Sequence, residues 1–432
     1  MRILCYGIVL ILTSYYFYDV YCDSEKSVLE ELGIDILDFT KEFTALIDFY
    51  VEAQEDPAAI QDSYLNITEL IIKYDYPVQE HRVQTDDGYI LKMIRIENKG
   101  PPVFLMHGLL MSADDWLTAG LKDSLAYQLA SEGYDVWMGN ARGNKHSREH
   151  VSISPETLEF WEFSWNEIGI YDLPAMIDYV INTTNKENLM YIGHSQGTTA
   201  FFVMCSEKPD YNNKISKMIA LSPAAWIFRM TSPLVRMVAP FHKYHPILTH
   251  MLHIYEILPR PIKESLFTEM LFLTKTPICE IENGLACITI LFIFGGFDYE
   301  QFNMVNAPAI FGHAPSGASI YQFVHYLQNM MSASFRKFDY GEHKNLEMYG
   351  STEPPTYAVD NVTVPIALFY SGNDWLSDVQ DVKQLENTLP NVIESYRVPF
   401  KKFNHFDFLW SRNVKGLIND KILQLLSLRT II

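Results

Sequence analysis

From Tyr76 onward the apolar positions fall into short runs alternating with longer stretches at helical spacing. His81–Thr85 and Tyr89–Ile96 flank Asp86-Asp87-Gly88, where the glycine supplies the positive φ of a hairpin turn. Val103–Met106, Asp135–Met138, Leu189–Ile192 and Lys217–Leu221 read as buried strands. Between them the spacing predicts helices near Leu121–Ser131, Asp172–Ile181 and Gln196–Ser206. Strands joined through helices imply a mainly parallel sheet covered on both faces. The rhythm stops from Ser222 to about Phe338, a stretch rich in Pro, Met, Phe and His that contains the apolar run Ala286–Phe297. It resumes with Pro365–Tyr370, Asp378–Asn387, Ile393–Val398 and a terminal helix near Asn413–Leu428. The pattern therefore predicts an α/β core in two parts, 65–221 and 339–432, with a cap or lid region, 222–338, inserted after the sixth strand. No internal repeat is visible.

The N-terminal segment changes this picture. Arg2 and the apolar run Ile3–Leu12 have the charged start and short hydrophobic core of a secretory signal, and Val20 and Cys22 suit a cut after residue 22. The run is shorter than the ~20 residues of a spanning helix, so no stable transmembrane anchor is expected. Residues 23–64 carry 12 acidic and 2 basic side chains. Within them Phe39, Phe43, Leu46 and Tyr50 recur at helical spacing, predicting an acidic amphipathic helix. It reads as a pro-segment, a partner-binding extension, or a helix packed on the main body.

Composition excludes two broad classes. With 48% hydrophobic and 14% aromatic residues, the 432-residue chain can bury a large core, so wholesale disorder is ruled out. A net charge of −20 leaves no basic footprint for nucleic acid. The sequons at Asn66, Asn182 and Asn361 fit a secreted or lumenal glycoprotein. Without the signal, Cys205, Cys279 and Cys287 remain; Cys279 and Cys287 are close enough to staple a small loop, leaving Cys205 free.

Gly193-His194-Ser195-Gln196-Gly197 follows an apolar strand and opens a helix, the context of a nucleophile elbow. A nucleophilic serine needs a base and an orienting acid, which in such a sheet follow in the order Asp, then His. Asp374 lies past the strand ending at Tyr370, and His405 lies in the loop past the next strand. Both stand at carboxyl ends of parallel strands, where an active-site crevice opens. The backbone N–H groups of Gln196 and of Leu109, in His107-Gly108-Leu109-Leu110, are the candidate oxyanion donors. His107 and His194 read as packing and hydrogen-bonding residues. His242, His245, His250 and His253 have neither cysteine partners nor an H-E-x-x-H string, so no metal site is expected there.

These residues stand within longer matching strings: HGLLMSADDW (107–116), YDVWMGNARGN (134–144), YDLPA (171–175), YIGHSQGTT (191–199), FGGFD (294–298) and NHFDFLW (404–410). Together, from about Tyr64 to the carboxyl terminus, they resemble the acid lipases, the gastric and lysosomal lipases with their insect relatives. The resemblance implies an α/β-hydrolase fold with nucleophile Ser195, acid Asp374, base His405 and oxyanion amides from Leu109 and Gln196. It also implies a mobile lid within the cap and a disulfide in the Cys279–Cys287 region. The acidic extension is outside the common pattern. The activity so implied is hydrolysis of carboxylic esters of triacylglycerol or sterols at an oil–water or membrane interface, with no cofactor. A soluble carboxylesterase of small esters is the rival within catalysis. A non-catalytic lipid-binding protein on the same scaffold is the rival outside it, and three intact triad positions speak against it.

Overall fold

The computed structural model describes residues 56–259 and 285–428. In chain order its strands are β1 (Gln79–Gln84), β2 (Tyr89–Ile96), β3 (Pro102–Met106), β4 (Asp135–Met138), β5 (Glu149–His150), β6 (Leu189–His194), β7 (Ile215–Leu221), β8 (Glu256–Ile257), β9 (Ala318–Ser319), β10 (Ile366–Tyr370) and β11 (Val392–Arg397). The main sheet runs β1-β2-β4-β3-β6-β7-β10-β11, with β5 on β2, while β8 and β9 pair separately. β1, β2 and β4 are antiparallel neighbours, and every pair from β4 through β11 is parallel. The hairpin falls where predicted, with Gly88 at φ 98°. The two-residue strands β5, β8 and β9 were not foreseen, being too short to leave a periodic signal.

The strand residues alternate between two apolar layers. Val103 and Leu105 of β3, Ile192 of β6 and Phe369 of β10 face one layer. Phe104 and Met106, Tyr191, and Leu368 and Tyr370 face the other. Both faces are dry, which is why these strands read as unbroken apolar runs. Helices α1 (Pro57–Tyr64), α2 (Ile67–Lys73), α3 (Leu125–Ser131), α4 (Leu173–Thr184) and α5 (Gln196–Glu207) precede the interruption; α6 (Leu285–Gly295), α7 (Ala307–His313), α8 (Ile320–Ser332), α9 (Val379–Thr388), α10 (Asp407–Trp410) and α11 (Asp420–Ser427) follow it. α3 starts at Leu125 rather than Leu121, because Gly120, at φ 87°, begins a turn closed by the Ser124 N–H on the Gly120 carbonyl. α2, α3 and α11 contribute to the first layer, and α4, α5 and α9 to the second.

The apolar run Ala286–Phe297 lies largely in α6. Its Ile288, Phe292 and Phe297 join the same apolar layer as Ile192 and Phe369 of the sheet. The C-terminal end of the acidic extension is likewise fastened to the body. Asp62 in α1 receives Lys73 and Tyr74, each at 2.6 Å, and His313 at the end of α7 bonds the Asp62 carbonyl at 3.0 Å. The helix predicted around Phe39–Tyr50 lies outside the described residues, as do the signal segment and Cys279.

Two buried ionic clusters account for residues in the matching strings. Arg142 is 1% exposed; it bonds Asp172 through Nε at 2.7 Å and clasps both oxygens of Asp87 at 2.6 and 2.9 Å. Its guanidinium also lies 4.0 Å from the Tyr89 ring centroid. Asp114 gathers Lys145 and His146 at 2.6 Å and His313 at 2.7 Å.

Candidate active site

Sheet topology creates the crevice before any side chain is considered. β4 lies on one side of β3 and β6 on the other, so the chain reverses its winding direction between them. At such a switch point the loops leaving adjacent strands diverge and leave a cleft at their carboxyl ends. The His107–Leu110 loop leaves β3 there, and Ser195 leaves β6.

Ser195 joins β6 to α5 at φ 51° and ψ −117°, a conformation costly for a residue with a Cβ. Its N–H donates to the Leu221 carbonyl at the end of β7, at 3.0 Å. The flanking glycines are required by space. A Cβ on Gly197 would lie 2.3 Å from the Met106 carbonyl oxygen, and one on Gly193 would lie 2.9 Å from the Gly197 carbonyl carbon. Gly108 is nearly as confined, its Cβ position being 3.2 Å from that of Ser195. Ser195 itself remains partly accessible.

Asp374 and His405 arrive from the loops after β10 and β11. His405 Nδ1 lies 3.0 and 3.1 Å from the two Asp374 oxygens, and both side chains are almost completely buried. Asp374 Oδ1 also accepts the N–H groups of Leu376 and Ser377 at 2.9 Å. Burial pushes the Asp374 carboxyl upward, but His405, Ser222 and Ser377 outweigh it and hold the group below its ordinary value. An ionised Asp374 favours the imidazole tautomer with its proton on Nδ1, which leaves a lone pair on Nε2.

Ser222 was missed by the sequence reading, which placed it at the start of the cap. Its Oγ donates to Asp374 Oδ2 at 2.5 Å and lies 2.7 Å from His405 Nδ1. It is completely buried at φ 50°, with its N–H on the Phe369 carbonyl. The available signal was positional: Ser222 directly follows β7, at the same carboxyl edge as Ser195, Asp374 and His405.

Gln196 opens the helix directly after Ser195, and Leu109 follows Gly108, whose Cβ position lies 3.2 Å from that of Ser195. Among the described residues neither backbone N–H donates to another protein group. His107 and His194 support this edge. His107 bonds the Gly108 carbonyl through Nδ1 and accepts the Ala141 N–H on Nε2. His194 bonds the His405 carbonyl through Nε2 at 2.9 Å, and burial, with His405 nearby, pushes it down to about 3, so it is neutral.

The remaining sequence candidates lie elsewhere. Asn66, Asn182 and Asn361 are all exposed, Asn66 also serving as the N-cap of α2. Cys205 is a free, buried thiol in α5, and Cys287 is disulfide-bonded. His242 and His245 bond backbone carbonyls three residues earlier, and His253 bonds the Tyr255 hydroxyl. No described helix is long and apolar enough to cross a membrane.

The sheet and the residues at its carboxyl edge define an α/β hydrolase. Residues 101–244 match the alpha/beta hydrolase fold family, and residues 67–120 match the partial alpha/beta-hydrolase lipase region. The chain is 42% identical to Lipase 1 of Drosophila melanogaster over 85% of its own length and 80% of that protein. It is 36% identical to human gastric triacylglycerol lipase and 35% identical to human lysosomal acid lipase/cholesteryl ester hydrolase, each over 84% of this chain and 91% of the relative. The chain belongs to the acid lipase family, and it is a carboxylic ester hydrolase.

Proposed function

We propose that this protein is a serine lipase hydrolysing neutral-lipid esters, triacylglycerol or sterol ester, through Ser195, His405 and Asp374. The observation that carries this reading is the buried Asp374–His405 pair on the strand edge where the strained Ser195 elbow also stands. His405 takes the Ser195 proton as Oγ attacks the ester carbonyl, and ionised Asp374 stabilises the imidazolium. The N–H groups of Leu109 and Gln196 receive the developing oxyanion. His405 then returns the proton to the leaving alcohol and activates the water that cleaves the acyl-enzyme. This chemistry requires no metal or organic cofactor.

A greasy substrate is supported by the printed names of the relatives and by the surface of the cap, where Phe241, Tyr244, Met251 and Leu252 are all exposed. In this reading 222–338 is the cap over the crevice, and residues 1–22 direct the protein to secretion or a lysosome. The Cys279–Cys287 bridge and glycans at the three sequons suit that destination.

Fatty-acid release from a trioleoylglycerol emulsion at acidic pH tests the proposal, with a soluble short-chain ester as second substrate and Ser195→Ala alongside. Release by wild type and none by Ser195→Ala is the expected result. Activity confined to the soluble ester would make the protein a small-ester carboxylesterase instead. Equal activity of Ser195→Ala would remove the serine mechanism.

A further inference from the structure

A second pair of carboxyl groups lies directly behind the base. Asp298 is 0% exposed and Asp407 1%. They come from separate stretches, the turn after α6 and the start of α10, yet their side chains lie close enough for each to act on the other's titration. Two buried carboxyl groups so close resist ionising together, which favours a proton held on the pair. Asp407 Oδ2 accepts the Asn404 N–H at 2.6 Å, and Asp298 Oδ1 accepts the Gln301 N–H at 3.1 Å. Asp298 Oδ2 is buried with no ordinary donor among the described residues.

The same network holds the loop that carries His405. Asn404 Oδ1 accepts the N–H groups of Phe406 at 2.8 Å and Asp407 at 3.1 Å, while its Nδ2 donates to the Gly296 carbonyl at 2.8 Å. The His405 N–H itself reaches the Gly295 carbonyl at 3.3 Å. The base is thus suspended from the Gly295–Asp298 segment, and the carboxyl pair joins that segment to the start of α10.

We propose that Asp298 and Asp407 are positioning residues whose shared proton locks the His405 loop in its working place, and that losing this proton loosens the loop and limits the reaction on the alkaline side. The proposal rests on His405 being the base. The groups facing the pair favour retention of the proton. Burial is the largest influence on both and raises both, Asp298 to about 7 and Asp407 well above the ordinary carboxyl value. Glu300 on the same turn and Asp374 from the β10 loop add negative charge, Glu300 acting on Asp298 and Asp374 on Asp407. Lys402 opposes them from the base loop, and it also stands 3.9 Å from Glu300. His405 borders the pair from within that loop. Arg412, beyond α10, directs its N–H and Nε to the carbonyls of Gln301 and Phe302. Because the folded values are raised, the stabilisation is complete below the unfolded carboxyl value of about 4 and is lost as pH rises through the folded values.

The test measures kcat and KM on a soluble ester, and the thermal midpoint, across about pH 4 to 9. It compares wild type with Asp298→Ala and Asp298→Asn. The alanine variant is expected to lose kcat at acidic pH by about tenfold or more with KM nearly unchanged. The asparagine variant has an amide that donates without titrating. It should recover kcat to within about threefold of wild type and move the alkaline limb up by about one pH unit or more. Its thermal midpoint should fall less than that of wild type between mildly acidic and alkaline pH. An alkaline limb and a midpoint–pH slope identical to wild type in Asp298→Asn would overturn the proposal, as would equal kcat losses in the two variants. The midpoint comparison repeated in the Ser195→Ala background separates failure of the pair from failure of the serine mechanism.

Discussion

At the scale of single residues, the site depends on small groups fixed by several partners each. Ser222 gives Asp374 an O–H and offers His405 a lone pair, so it orients both side chains at once. Removing a hydrogen bond to a charged group costs about 1.5–3 kcal/mol. Ser222→Ala is therefore expected to lower kcat by roughly ten- to a hundredfold with little change in KM, measured on a soluble ester. Asp374 is held below its ordinary value, so its stabilising interactions exist above the unfolded value of about 3.9 and disappear as pH falls through the lower folded one. Thermal melts of wild type should consequently weaken between mildly and strongly acidic pH. Asp374→Asn should be less stable at mildly acidic pH and show a smaller loss on further acidification; an unchanged loss would contradict the assigned role of the carboxylate.

Elements meet at this edge with little room to spare. The Ser195 elbow brings α5 against the end of β3, and the Gly197–Met106 approach fixes how close α5 can come. The loops carrying His405 and Asp374 are stitched together by Asn373, whose Nδ2 donates to the carbonyls of Phe297 and Lys402 at 2.9 and 2.6 Å. Gly296, at φ 113°, passes so near that a Cβ would lie 2.2 Å from the Asn373 carbonyl oxygen. Forcing a methyl into such contacts displaces backbone and typically costs about 1–3 kcal/mol. Gly197→Ala should lower stability by that order in urea denaturation and lose most of its kcat; a variant with wild-type stability and turnover would mean that α5 can shift without disturbing Ser195. The apolar run before Asp298 shows the limit of pattern reading at this scale. Ala286–Phe297 is apolar enough to suggest a lipid-facing surface, yet Ile288 and Phe292 are buried within the sheet's own apolar layer. A run that is hydrophobic all round cannot announce which neighbour it will meet.

Across the whole molecule, the buried charges carry the largest penalty for a single change. Arg142, itself buried, joins the half-buried Asp87, before β2, to the fully buried Asp172, before α4. Breaking a buried pair by removing one partner typically costs about 3–5 kcal/mol, because the other charge is left desolvated. Arg142→Ala is expected to lower unfolding stability by about that amount and to reduce the soluble yield, checked by denaturant titration of the purified protein. A loss below about 1 kcal/mol would place the cluster among solvent-screened ion pairs.

Much of this arrangement was legible in the order of residues along the chain. Apolar runs of strand length, a serine between glycines after one of them, and Asp374 and His405 after two later ones define the sheet and its reactive edge, because a parallel strand always delivers the loop that follows it to the same side. The sequence determined the strands, the fold class and the identity of the strand-end residues through these local spacings. Tertiary structure alone decided that Ser222 would bridge Asp374 and His405, that Ile288 and Phe292 of α6 would join the apolar cluster of the sheet, and that Asp298 would come beside Asp407. Each depends on segments far apart in the chain converging in space, and the low dielectric of that convergence gives their protons and charges a weight that residue order cannot express.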